Sequence, residues 1–357
     1  MDTLGRLVGT IVFLVIFASG AKSNEVLGDI RRSCSPDGPA HVVLLASPGN
    51  TQVVACGRDR PSVGQATAES RFLLASVSKT FLAVTLLQLH EEGQINIDDR
   101  ASKWLPPDVV TDLGGLKGVT ISHLLSMTSG LPDYLDEQFY LDSLDLVDAG
   151  ATSAKVLRSA LKKVVGEPVL FAAGTAFDYS NTNYLLAQLV LEKVSGQPMH
   201  EVFNSRIFEP VGLNRTQLLG FGVSPGDFVQ GFEDFGNGLE AVDGYLEGFG
   251  FGDGGLVSTA GEVAGFYDAL FSARTLLDKR SLDRLLTDPV GEGYGMGIEV
   301  ERLPDNVIVV GHSGGDIGFS TDVRHILGEG VSAVYLSAIA EDDLSVTWDL
   351  LEAHQGN

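Results

Sequence analysis

The longest unbroken apolar pattern in the chain runs from Phe72 to Gly93, FLLASVSKTFLAVTLLQLHEEG. Nearly every position is apolar or small, the length suits one helix, and Gly93 supplies a stop. Between Arg71 and Glu91 the only formally charged side chain is Lys79. A lysine in so apolar a helix is expected to be buried, where an ammonium must find a partner, lose its proton, or do both. Ser76 lies three residues earlier, on the same helix face, so its hydroxyl can meet the Lys79 amine. A serine beside a desolvated amine can act as a nucleophile at neutral pH. The plainer reading is a Ser76 cap on a core helix with Lys79 snorkelling outward. The spacing S-x-x-K recurs at Ser19 to Lys22 and Ser159 to Lys162, but only the Ser76 copy opens a long apolar helix.

Shorter patterns surround this run. His41 to Ala46 and Thr51 to Cys56 are apolar, β-branched stretches about Ser47-Pro48-Gly49-Asn50 and read as a hairpin. Glu25 to Arg32, Thr120 to Met127, Asn183 to Ser195, Met199 to Phe208 and Asp343 to Ala353 read as helices. Ser258-Thr259-Ala260-Gly261-Glu262 reads as a capping box opening another, to Phe271. Asp133 to Val165 reads as largely helical. Leu218 to Gly255 is glycine-rich with little periodicity and reads as ordered loops lining a cleft. Strand-like runs follow at Gly295 to Arg302, Asn306 to Gly311, Phe319 to Leu327 and Val331 to Ile339.

With strands at both ends and helices between, the expected class is α+β. One antiparallel sheet from both chain ends is flanked by helices, and a mainly helical lobe closes a cleft against it. A single domain over 22–357 is expected, with 22–93 and 255–357 forming the α/β lobe and 94–254 the helical lobe. Specificity is expected in Leu135 to Val147 and Phe221 to Phe251.

Composition narrows the setting. The chain has 357 residues, a formal net charge of -23 and a pI near 4.5, which excludes nucleic acid as a natural partner. Leu7 to Phe17 is a short apolar core after Arg6, followed by Ala18, Ser19, Gly20 and Ala21. It reads as a secretory signal over 1–21 cleaved near Ala21, with an uncleaved anchor as the alternative. A secreted or periplasmic location follows, with no membrane span in the mature chain. The two cysteines, Cys34 and Cys56, are then expected to pair, against the alternative of two buried thiols. No H-E-x-x-H is present and the histidines are scattered, so His41, His90, His123, His200 and His325 read as structural or surface residues. No metal and no cofactor are expected. The glycines near Gly248 to Gly255 lack the lysine of a phosphate loop. A monomer acting on a small-molecule or peptide substrate is expected.

Two further triplets carry candidate chemistry. Tyr179-Ser180-Asn181 precedes an apolar helix and is the only Y-x-N in the chain. Tyr179 could relay a proton, and Asn181 could hydrogen-bond Lys79 and a substrate amide. The bland reading is a loop tyrosine with an asparagine N-cap. His312-Ser313-Gly314 offers a cationic or donor side chain, then small residues that let substrate approach the backbone. Taken alone it is weak, because His354-Gln355-Gly356 also fits.

In this order and spacing the three motifs resemble those of the serine beta-lactamase and penicillin-recognising superfamily. The resemblance is nearest to its class C-like branch, with D-alanyl-D-alanine carboxypeptidases, D-aminopeptidases and related esterases. It extends from Arg71 to the C-terminus through LLASVSKTFLAVTLLQLHEEGQINIDD, ISHLLSMTSGLPDY, FDYSNTNYLLAQLVLEKVSG, IFEPVGL, GDGGLVSTAGE and GHSGGDIGFST. It implies a beta-lactamase/transpeptidase-like fold and a serine hydrolase working through an acyl-enzyme on amide or ester bonds. Ser76 would be the nucleophile, Lys79 its proton acceptor or electrostatic partner, and Tyr179 the general acid/base. Asn181 would position Lys79 and substrate, and His312, Ser313 and Gly314 would form the substrate-binding edge. The backbone N–H groups of Ser76 and Gly315 would make the oxyanion hole. Lactamases of this branch usually carry lysine where this chain has His312, which favours a peptidase or esterase over penicillin hydrolysis. Ala173 replaces the proline common before Gly174.

Three alternatives remain: a class C-like beta-lactamase, a non-catalytic penicillin-binding sensor, and a different nucleophile. Gly311-His312-Ser313-Gly314-Gly315 matches G-x-S-x-G, which would make Ser313 the nucleophile of an α/β-hydrolase elbow. That elbow needs a strand, a sharp turn and a helix, whereas a strand is expected after Ser313.

Overall fold

The structure is a computed structural model that describes residues 11–60, 64–136, 138–139, 142–143, 146, 151–223, 225–242 and 250–356. Residues 1–10 of the expected leader lie outside the described residues, as do parts of the two segments expected to carry specificity.

The hairpin reading around Pro48 holds: β1 (His41–Ser47) pairs antiparallel with β2 (Asn50–Cys56). The late strands are β3 (Glu299–Arg302), β4 (Ile308–Asp316), β5 (Phe319–Ile326) and β6 (Val331–Ser337). They join the hairpin in one six-stranded antiparallel sheet ordered β3-β4-β5-β6-β1-β2. The N-terminal hairpin therefore completes a sheet begun more than 240 residues later, with Val43 opposite Tyr335 in register. β5 and β6 are buried along their whole length, because helices cover both faces.

On the outer face, α1 (Ile11–Ser33) and the last helix, α5 (Val346–Gln355), pack Leu27, Leu350 and Leu351 against Val43, Leu45 and Ala333. The helix runs without a break past Ala21. No helix among the described residues is long and apolar enough to cross a membrane. Cys34, just after α1, is bonded to Cys56 at the end of β2, with a Cα–Cα separation of 5.8 Å. The inner face meets α2 (Ser78–Glu91), α3 (Thr182–Ser195) and α4 (Ala260–Tyr267) in one continuous core. Phe81 stacks on Phe266 at 3.7 Å between ring centroids.

Three local readings need correction. The apolar run from Phe72 is not one helix. Phe72–Leu73 is a short strand paired to Leu256–Ser258, Ala75–Val77 is a 3-10 turn, and only then does α2 begin. Periodicity cannot separate a buried strand from a buried helix in such a run. The strand expected to end at Gly311 continues through His312-Ser313-Gly314-Gly315 to Asp316, because its backbone stays paired with β5. The Thr259 box is half formed: Thr259 Oγ1 accepts from Glu262 N at 3.2 Å, but the Glu262 carboxylate turns to the Arg215 amide and the Thr216 hydroxyl.

Candidate active site

Ser76 lies in the 3-10 turn at the foot of α2, the only half-exposed residue in a buried stretch from Phe72 to Leu87. Its turn is anchored from three sides. Leu74 N donates to Leu256 O at 2.7 Å, Thr321 Oγ1 on β5 donates to Leu74 O at 2.9 Å, and Leu256 N donates to Ser78 Oγ at 3.0 Å. Ala75, immediately before Ser76, has φ +46°, a left-handed conformation that costs a residue with a Cβ on the order of 1 kcal/mol and that surrounding bonds must enforce.

Lys79 is fully buried one turn further on. Its Nζ donates to Ser76 Oγ at 2.8 Å and to the backbone carbonyl of Asp253 at 2.6 Å. The tight turn leads directly into α2, so the three-residue spacing still brings hydroxyl and amine together. The Asp253 carboxylate accepts from Tyr134 Oη at 2.6 Å, and burial pushes its pKa up, with Lys79 and Tyr134 opposing.

Tyr179 stands beside this pair, its ring 5.1 Å from Lys79 Nζ. Its hydroxyl oxygen is buried and bonds no protein group among the described residues. Asn181 differs from the expectation. Its carboxamide donates to Asp133 Oδ2 at 2.9 Å, and its own amide donates to Asp133 Oδ1 at 3.0 Å, so the side chain is tied to Asp133 and not to Lys79. It remains on the wall of the cleft.

Gly314 packs on the backbone of the Ser76 turn. A Cβ there would fall 2.7 Å from Leu74 O and 3.1 Å from Ser76 N, so no larger residue fits. Gly315 follows on the cleft wall beside Ser76. Ser313 is placed away from a nucleophile's position: it lies inside β4, its Oγ donates to Glu299 Oε1 at 2.8 Å, and a strand follows it. The elbow reading fails on both counts.

His312 also departs from expectation. The ring is buried, its Nε2 2.9 Å from Tyr294 Oη and its Nδ1 on the Ser313 carbonyl. A carbonyl can only accept, so Nδ1 carries the proton and the Tyr294 hydroxyl donates to Nε2. Burial lowers the His312 pKa to about 4, outweighing Glu299 and aided by Lys79. The ring is neutral at neutral pH and both nitrogens are engaged, so it offers substrate neither a cation nor a free N–H. Beneath it, burial would raise Glu299, but His312, Arg324 and two hydrogen bonds from Ser313 hold it near 2. Arg324 bridges Glu299 and Asp322.

Ser76, Asn181, Asp253, Gly315 and Asp316 line one cleft with room of about 90 Å³, its other walls being apolar side chains such as Phe139, Leu219 and Phe251. Sequence reasoning missed Asp253, Tyr134, Tyr294, Glu299 and Asp316 as members of the site. Tyr134, Asp253 and Asp316 lie inside the stretches SGLPDY, GDGG and GHSGGD that carry the resemblance, which was the available signal.

A serine and a buried lysine at the foot of a core helix, facing the glycine-lined end of an antiparallel sheet strand, define the class of beta-lactamase and penicillin-binding folds. The match is direct: a family model described as Beta-lactamase covers residues 40–355, and the chain belongs to that family. A penicillin-binding protein of Bacillus subtilis (strain 168) is 30% identical over 294 residues, 76% of this chain; the match spans 62% of that longer protein. A D-stereospecific amidohydrolase from a Streptomyces species superposes with a TM-score of 0.76 at 26% identity, over 94% of this chain and 98% of its own. A penicillin-binding protein from Bacillus halodurans shares the fold with the same TM-score at 24% identity, over 93% of this chain and 97% of its own.

Proposed function

We propose that this chain is a serine hydrolase that cleaves amide and ester bonds through an acyl-enzyme on Ser76, with D-configured peptides or amides as its substrate class. The observation that carries this is the bond between Lys79 Nζ and Ser76 Oγ in a buried seam, with the amine also held by the Asp253 carbonyl. As the Ser76 oxygen adds to the substrate carbonyl, its proton passes to the Lys79 amine. The oxyanion is received by the N–H groups of Ser76 and Gly315, an arrangement that typically contributes about 3 kcal/mol. The Tyr179 hydroxyl, with no protein partner among the described residues and its ring 5.1 Å from Lys79 Nζ, serves to pass a proton to the leaving group. Water then attacks the acyl ester along the reverse path and frees Ser76.

The D-stereospecific amidohydrolase relative supports the amide and D-configured assignment. The engaged, neutral His312 supports peptidase or esterase activity over efficient penicillin hydrolysis. The Cys34–Cys56 bond and the apolar leader support export.

The test is turnover of a neutral nitrophenyl ester and of a D-amino-acid amide by the purified protein, with labelling by a fluorescent fluorophosphonate. Turnover and labelling are expected in the wild type, and neither in Ser76→Ala. A permanent penicillin adduct without turnover of any substrate would favour a sensor.

A further inference from the structure

The charged residues on the cleft wall are Asp253 and Asp316, both acids, and no arginine or lysine lines it among the described residues. The two acids differ. Asp253 accepts a hydrogen bond from Tyr134 and holds Lys79 through its backbone carbonyl. Asp316 ends β4 one residue after Gly315, and strand geometry places it about 7 Å from Gly314, the glycine packed on the Ser76 amide. It accepts one hydrogen bond, from the Ile317 amide at 2.8 Å, and it has no basic partner among the described residues. Glu233, bonded to the Gly318 amide at 3.1 Å, adds a further negative charge at this end of the strand. The nearby Lys79 amine is already committed to Ser76 and the Asp253 carbonyl.

From this placement we infer that Asp316 is the charge selector of the cleft, admitting acyl donors with an unblocked ammonium near the scissile carbonyl and rejecting those with a carboxylate there. The inference rests on the hydrolase reading above and deepens it. The physical ground is that a carboxylate entering the cleft would meet like charge with no basic residue on the wall to offset it, whereas an ammonium supplies the missing partner. Burial, with Asp253 and Glu233 adding and the Ile317 amide and Lys79 opposing, pushes the Asp316 pKa up to about 7, and an ammonium beside it would bring it down. The apolar part of the wall, which includes Phe139, Leu219 and Phe251, suits a hydrophobic side chain on the same donor. The substrate class is thus an amino-acid or N-terminal peptide amide or ester with a free amine and an apolar side chain. Peptides recognised by a terminal carboxylate, and penicillins, fall outside it.

The experiment compares kcat/KM for three nitrophenyl esters of matched shape, carrying an ammonium, a neutral group or a carboxylate, in the wild type and in Asp316→Asn. The wild type should prefer the cationic over the anionic ester by at least about 30-fold, and the variant should shrink that ratio by about tenfold or more. A ratio near one in the wild type, or the same ratio in Asp316→Asn, overturns the inference. Hydrolysis of the neutral ester and fluorophosphonate labelling report the hydrolase reading separately, so the two can fail independently. A direct arm decides even without turnover: in Ser76→Ala, phenylethylammonium should bind measurably by calorimetry and phenylacetate should not. Equal binding of the two would sink the proposal.

Discussion

At the scale of single residues, the site turns on one buried amine. Lys79 is fully buried on α2, and its two acceptors are a hydroxyl and a carbonyl, with no carboxylate within ion-pair distance among the described residues. Lys79→Met keeps the apolar stem and volume but removes the proton acceptor. It strands the Asp253 carbonyl at a cost of about 1–3 kcal/mol, which a domain of this size tolerates. Acylation of Ser76 should fall by roughly 10²- to 10⁴-fold, the range for loss of a general base. Fluorophosphonate labelling rates measure it, with thermal unfolding as the fold control; labelling within a few-fold of wild type would remove Lys79 from the mechanism. The meeting of Ser76 and Lys79 was legible in the sequence because spacing and apolar context sufficed. The state of His312 was not. It depends on Tyr294 and Glu299, which pack on it only after β3 and β4 pair, and no local pattern records that burial.

At the scale of elements, the proposed catalytic geometry is a contact between a turn and a strand. The turn at Ala75–Val77 and the strand β4 meet where Gly314 has no side chain, and Thr321 from β5 ties Leu74 to the same place. Gly314→Ala adds one methyl that would meet Thr321 Oγ1 at 2.5 Å and Leu74 O at 2.7 Å. Two of the neighbours are backbone, so the strand or the turn must shift by several tenths of an ångström. A misplacement on that scale at a reacting centre is expected to lower kcat about 10- to 100-fold, with a smaller effect on thermal stability, about 1–3 kcal/mol. Steady-state kinetics on the neutral ester, beside a melting curve, separates the two; wild-type kcat would show that the strand does not set the nucleophile's position. Element type was legible for the hairpin, for α3 and for the late strands, where alternation or helical periodicity is strong. It was not legible at Phe72, where strand, turn and helix share one apolar run, nor past Gly311, where glycine carries no pattern and pairing with β5 alone extends the strand.

At the scale of the whole molecule, the two ends of the chain hold the sheet together. β1 sits between β6 and β2, so the N-terminal segment is inside the fold and β6 depends on it for its second neighbour. The α+β class and the closure of both ends into one sheet were legible from the order of elements, since antiparallel strands separated by helices have few ways to bury their faces. The Cys34–Cys56 bond locks this arrangement by fixing α1 to the far end of β2, across a sequence separation of 22. Closing a loop of that length typically stabilises by about 3 kcal/mol, mainly by restricting the unfolded chain. The active-site groups lie on the opposite face of the sheet, joined to it through the inner core and not through α1. Cys34→Ser/Cys56→Ser, or reduction of the wild type, should therefore lower the denaturant midpoint by an amount worth about 3 kcal/mol. The rate of Ser76 labelling under native conditions should change less than about twofold, since the bond acts on the unfolded state and leaves the turn, α2 and β4 untouched. If labelling instead falls in step with stability, the N-terminal segment and the site form one cooperative unit, and the outer helices do more than cover the sheet.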